Sequence, residues 1–253
     1  MEQEVKSKIE ACRKNKSKRL VLRGLQLTEI PAEVFELTHL VELILSRNQL
    51  TKIPKEITQL TALENLALGG NKLNGKDSIP ALPLNLRSFA LDENGLTTIP
   101  DAVYSLKHLN TLHLKNNQLS SIPDDFAALS ALEDLFASHN RIEVIGKMPI
   151  GLRCLYLENN LLRSLGASLK DCNQLRSLKA KLNQIEFLDM VESFPASLER
   201  VDLSHNQIEE VKGFQSDAEL WSLDLSNNQI KSLVFPEEAV SGLSSIDLSR
   251  NRF

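Results

Sequence analysis

With 253 residues, 42% of them hydrophobic and only 5% aromatic, the chain can bury a large core but must fill it with aliphatic side chains. A formal net charge of −4 argues against a nucleic-acid-binding surface; no run approaches the ~18 apolar residues of a membrane span, and none follows Met1 as a secretory signal would. The three cysteines, Cys12, Cys154 and Cys172, fall at unrelated positions with no paired terminal set, which fits a reducing compartment and a cytoplasmic location.

In chain order, residues 2–16 come first and read as a short amphipathic helix, with Val5, Ile9 and Cys12 at helical spacing and charges on the other side. Residues 1–19 are therefore assigned as an N-terminal cap and residues 20–253 as one repeat domain. The basic run Arg13, Lys14, Lys16, Lys18 and Arg19 is open to two readings, a contact for an acidic partner or nuclear receptor and a solvated helix end whose positive charge suits the helix C-terminus; we take the second.

From Leu20 onward one unit recurs. Its clearest copy is Leu109-Asn110-Thr111-Leu112-His113-Leu114-Lys115-Asn116-Asn117-Gln118-Leu119. Leu112 and Leu114 keep the two-residue period of a strand, and Asn117 then bends the chain, its amide able to bond backbone groups that a buried turn leaves unsatisfied at about 1–3 kcal/mol each. The matching asparagines are Asn48, Asn71, Asn94, Asn117, Asn140, Asn160, Asn183, Asn206, Asn228 and Asn251, at steps of 23, 23, 23, 23, 20, 23, 23, 22 and 23. A first copy carries Leu20, Leu22 and Leu27 in the leucine slots but Leu25 in place of asparagine, as suits a terminal repeat. The pattern resembles the leucine-rich repeat family, L-x-x-L-x-L-x-x-N-x-[LI], over nearly the whole chain. The resemblance implies a right-handed α/β solenoid, a horseshoe with eleven parallel strands on the concave face and short helices or extended turns on the convex face, acting as a protein-interaction module.

Four repeats share Ile-Pro and a leucine seven residues after the isoleucine, at Ile30-Pro31, Ile53-Pro54, Ile99-Pro100 and Ile122-Pro123. Proline suits a first helical turn, so short convex helices are expected there. This version resembles the intracellular Ras-group leucine-rich repeat proteins, which are scaffolds and regulators of signalling enzymes. Three other turns place Pro83, Pro149 and Pro195 three residues before a strand leucine, and the 20-residue step into Asn160 resembles the short repeats of bacterial secreted effectors. The alternative reading is thus the recognition domain of a larger enzyme, or an effector delivered into a host cytoplasm.

No nucleotide-binding glycine loop, zinc spacing or nucleophile elbow occurs, so no enzyme, cofactor or metal is expected. His113 and His139 lie on adjacent repeats without an evident third ligand and are read as surface residues; Cys154, beside Arg153 and Lys179, is read as an inert thiol. What the leucine scaffold does not dictate is the column between the strand leucines. It reads Val21, Ile44, Ala67, Ala90, His113, Phe136, Tyr156, Lys179, Asp202, Asp224, Asp247. The three aspartates are the family's common residue there. Phe136 and Tyr156 are read as anchors for a protein partner, ringed by Asp134, His139, Cys154, Glu158, Arg176, Lys181 and Arg200; the competing reading is packing of the two rings on each other. Finally, Phe253 takes the slot of Leu119, Ile208 and Ile230 in earlier repeats, from which either a longer natural chain or an end-to-end contact through the last strand is expected.

Overall fold

The computed structural model describes residues 2–75, 77–213, 220–233 and 243–253. The chain forms two compact units, Met1–Gln118 and Leu119–Phe253.

The first unit opens with helix α1, Glu2–Asn15, which buries Val5, Ile9 and Cys12. Glu2 and Glu4 sit in its first turn and Arg13 and Lys14 in its last, the arrangement that the helix dipole favours. Arg13 also reaches Glu36 at 2.6 Å. Five three-residue strands follow, Arg19–Val21, Glu42–Ile44, Asn65–Ala67, Ser88–Ala90 and Thr111–His113, each parallel to the next and offset by 23 residues. Each buries its central side chain (Leu20, Leu43, Leu66, Phe89, Leu112) and turns the two flanking ones to the open face of the sheet, away from the leucine core.

Between strands the chain returns through short turns. Pro31, Pro54 and Pro100 each precede a 3-10 turn, Ala32–Val34, Lys55–Gln59 and Asp101–Ser105. These are tighter than the short helices expected from sequence. Only five residues separate each proline from the next buried leucine, room for one i→i+3 turn such as Val103 N–H to Pro100 C=O at 2.9 Å.

The second unit carries six strands in the same order and orientation, Asp134–Phe136, Cys154–Tyr156, Ser177–Lys179, Arg200–Asp202, Ser222–Asp224 and Ser245–Asp247. Eleven short parallel strands in chain order thus make a solenoid with few helices. The shortened repeat keeps its strand register, Asp134 opposite Cys154, so the three missing residues come out of the return segment. There Ser121–Ile122 pairs with Val144–Ile145, and Gly146 follows at very close range: a Cβ on it would lie 2.6 Å from the Asp124 nitrogen. A second small parallel pair joins Phe187–Asp189 to Glu210–Lys212. Phe253 is 65% exposed, whereas Leu119, Ile208 and Ile230 are fully buried.

The turn asparagines tie successive repeats together. Asn48 donates to the carbonyls of Leu22 and Leu45, both at 2.8 Å, and accepts from the amides of Leu25 at 2.9 Å and Leu27 at 3.1 Å. In the second unit Asn183 donates to Leu157 and Ala180 and accepts from Leu162, each at 3.0 Å. Asn71, Asn94, Asn117, Asn160, Asn206 and Asn228 are buried as well, while Asn140 and Asn251 are half-buried. The residue before each asparagine takes the left-handed conformation the turn requires, which places even Leu182 at φ 57°.

Candidate functional site

The open face of the second unit gathers the chemistry. Phe136 and Tyr156 project from adjacent strands and meet edge to face, ring centroids 5.2 Å apart and planes at 85°. Both rings are half-buried: the pair packs on itself, the second of the two sequence readings, and part of its aromatic surface stays exposed. Lys179, on the next strand, holds its ammonium 4.5 Å from the centre of the Tyr156 ring.

Around this centre the polar side chains are mostly engaged. The Ser138 hydroxyl donates to Glu158, and the Asn159 amide donates to His139 Nδ1 at 2.7 Å. Arg176 donates to Glu199, Arg153 pairs with Glu133 at 3.2 Å, and Lys181 stands 4.0 Å from Asp202. Cys154 is half-buried beside Asp134. Burial first, and then the hydrogen bond and charge of Asp134, push its thiol up to about 11, so it is protonated at neutral pH and a poor nucleophile.

Asp134, Phe136, His139, Cys154, Tyr156, Glu158, Arg176, Lys179, Lys181 and Arg200 therefore belong to four consecutive repeats of one unit. His113 stands on the last strand of the first unit, beside Asp92. Burial raises the Asp92 carboxyl, opposed by a 2.7 Å bond from the Lys115 amide and by the charge of His113.

One residue of the site was missed from the sequence. Trp221, the only tryptophan of the chain, is 36% exposed and lies under Arg200, whose guanidinium is 4.4 Å from its ring centre. Arg176 hydrogen-bonds Glu199 and chiefly keeps that carboxyl below its usual range, and the Trp221 backbone N–H donates to the Glu199 carbonyl at 3.0 Å. Trp221 falls one residue before its strand, outside the column that the leucine spacing singles out; its being a lone tryptophan was the available signal. Among the described residues no three His, Cys, Asp or Glu side chains are grouped to hold a metal ion, and no helix is long and apolar enough to cross a membrane.

Residues 18–73 and 85–142 match the family model described as leucine rich repeat, and the strand, turn asparagine and return segment of that repeat run through both units. The fold is the leucine-rich repeat. The internalin InlF of Listeria monocytogenes shares it at 22% identity, with a TM-score of 0.73 over 97% of this chain and 74% of its own. YopM, a leucine-rich effector protein of Yersinia pestis, is similar at 23% identity and a TM-score of 0.74, over 99% and 71% of the two chains. A chain from the octameric complex of latrophilin 3, Unc5D and the FLRT2 leucine-rich repeat matches at 21% identity and a TM-score of 0.71, over 92% and 82%. At these identities it is the leucine-rich-repeat fold that is shared. No curated protein matches the chain. Leucine-rich repeats typically serve as non-catalytic interaction modules, and no enzyme family is indicated here.

Proposed function

We propose that this leucine-rich-repeat chain binds a protein partner on the open face of its second unit, as a scaffold or as the targeting subunit of a signalling assembly. The observation that carries the reading is the Phe136–Tyr156 pair with Lys179 stacked on it: aromatic surface at the centre of a sheet face, rimmed by paired charges, the usual anatomy of a binding hot spot. A rigid sheet gives up little conformational entropy on association. The matched complex containing FLRT2 is one in which a leucine-rich repeat assembles with other proteins. The working location is a reducing one, the cytoplasm, in keeping with free Cys12, Cys154 and Cys172.

A second reading, recognition of host proteins by a secreted bacterial effector, is favoured by the 20-residue step between Asn140 and Asn160. Both readings use the same face. The test is capture of cross-linked partners by the full chain, by the double variant Phe136→Ser/Tyr156→Ser and by Lys170→Glu, a change at an exposed position in a return turn. The double variant is expected to lose the partner while keeping its circular-dichroism melt, and Lys170→Glu to retain it. Equal capture by all three would remove the aromatic site from consideration.

A further inference from the structure

Two cations of the second unit differ from their neighbours. Arg153, Arg176 and Lys181 each stand within ion-pair distance of a carboxylate, respectively Glu133, Glu199 and Asp202. Lys179 and Arg200 are instead each laid on an aromatic ring, Tyr156 at 4.5 Å and Trp221 at 4.4 Å. Asp202, opposite Lys179 in strand register, turns its carboxylate to the Ser204 amide at 3.1 Å and hydroxyl at 2.7 Å. Stacking fixes the plane of a guanidinium and leaves its N–H edges free for two-pronged bonds to a carboxylate; on Lys179 it fixes the ammonium without neutralising it.

The spacing of the two cations defines what they fit. Arg200 lies one strand over from Lys179 and opposite Ser177, two residues back along the strand. With strands ~4.8 Å apart and a rise of ~3.3 Å per residue, the two backbone positions are about 8 Å apart. Alternate side chains of an extended peptide stand about 7 Å apart on one side. We propose that Lys179 and Arg200 together receive an extended acidic segment of the partner, with two carboxylates separated by one residue, Asp-x-Asp or Glu-x-Glu. This deepens the proposed function and rests on the open face being the partner site. A continuous polyphosphate such as nucleic acid is disfavoured on the same face, where Asp202, Asp224 and Asp247 form the next stretch of the column. A short acidic segment ends before reaching Asp224 and Asp247, and Asp202, opposite Lys179, has its carboxylate turned to Ser204.

The experiment uses the full chain and a fluorescein-labelled decapeptide carrying one Asp-Thr-Asp in an uncharged background. Binding is read by anisotropy, and independently by emission of Trp221, the sole tryptophan. The expected result is saturable binding that weakens as salt rises, absent for the Asn-Thr-Asn peptide, for inorganic phosphate and for a short DNA duplex. Lys179→Glu and Arg200→Glu should each weaken it about tenfold or more, the loss of one charge-assisted pair, with Lys170→Glu unchanged. No saturation up to millimolar peptide, equal binding of the Asn-Thr-Asn peptide, stronger binding of phosphate or DNA, or unchanged affinity in Arg200→Glu would each overturn the proposal. If the peptide fails while Phe136→Ser/Tyr156→Ser still abolishes partner capture, the acidic-segment proposal falls and the partner site stands.

Discussion

Replacing Asn117 by alanine removes the turn side chain of the last repeat of the first unit, and the structure sets the size of the effect. Asn117 is buried; its oxygen accepts from the amides of Asn94 at 3.1 Å and Leu96 at 3.0 Å, and its nitrogen donates to the carbonyls of Leu91 and Leu114, both at 3.0 Å. The Leu91 carbonyl keeps a second donor, the Asn94 side chain at 3.0 Å, so the principal loss is the two orphaned N–H groups. At about 1–3 kcal/mol for each unsatisfied buried donor, Asn117→Ala should destabilise by about 2–6 kcal/mol. The neighbouring Gln118 is exposed, and Gln118→Ala should change stability by no more than about 0.5 kcal/mol. With urea slopes of about 1–3 kcal/mol/M, the midpoint of Asn117→Ala should fall by on the order of 1 M in circular-dichroism titrations. Native-state hydrogen exchange should show the Asn94 and Leu96 amides losing protection first. Equal urea midpoints for the two variants would refute the reasoning, because the bonds drawn to Asn117 would then carry no weight in the fold.

Gly146→Ala should destabilise the second unit by about 1–3 kcal/mol, since its Cβ would come within 2.6 Å of the Asp124 backbone nitrogen and 2.8 Å of the Pro123 carbonyl carbon; Gly75→Ala, with nothing within 4 Å, is the neutral control in the same melts. Cys154 and Cys172, both raised from 9.0 to about 11 chiefly by burial, should react slowly with iodoacetamide at pH 8 compared with the same thiols in urea. A raised thiol value means that the native state holds its proton longer than the unfolded chain does. The stabilisation is therefore full below about pH 9 and is lost as pH rises towards 11, and Cys154→Ser/Cys172→Ser should flatten that alkaline slope in urea midpoints. An unchanged slope would show that other groups set it.

Much of this architecture is legible in the sequence because the constraint repeats. A strand leucine such as Leu112 and a turn residue such as Asn117 recur at a 23-residue step, and each copy corroborates the others. The helix over Glu2–Asn15 is readable from Val5, Ile9 and Cys12 for the same reason, a period imposed by burial. The return segments are less readable. Proline at Pro54 or Pro100 opens an α-helical or a 3-10 turn equally well, and two-residue strands such as Val144–Ile145 are too short to leave a period. The column between the leucines makes Phe136, Tyr156 and Lys179 legible as candidate site residues, and the flanking columns add Arg176, Lys181 and Arg200. Trp221 shares its register position with Arg176, and it escaped because its place beside Arg200 depends on the neighbouring repeat.

The most direct test of the central claim, that the open face of the second unit is where a protein partner sits, is site-specific photo-cross-linking in cells. A photoreactive phenylalanine analogue at position 136 is compared with one at position 170, exposed in a return turn of the same unit. The account expects a discrete protein adduct from position 136, lost when Tyr156 and Lys179 are replaced by serine, and none from position 170. An adduct formed only from position 170 would contradict it.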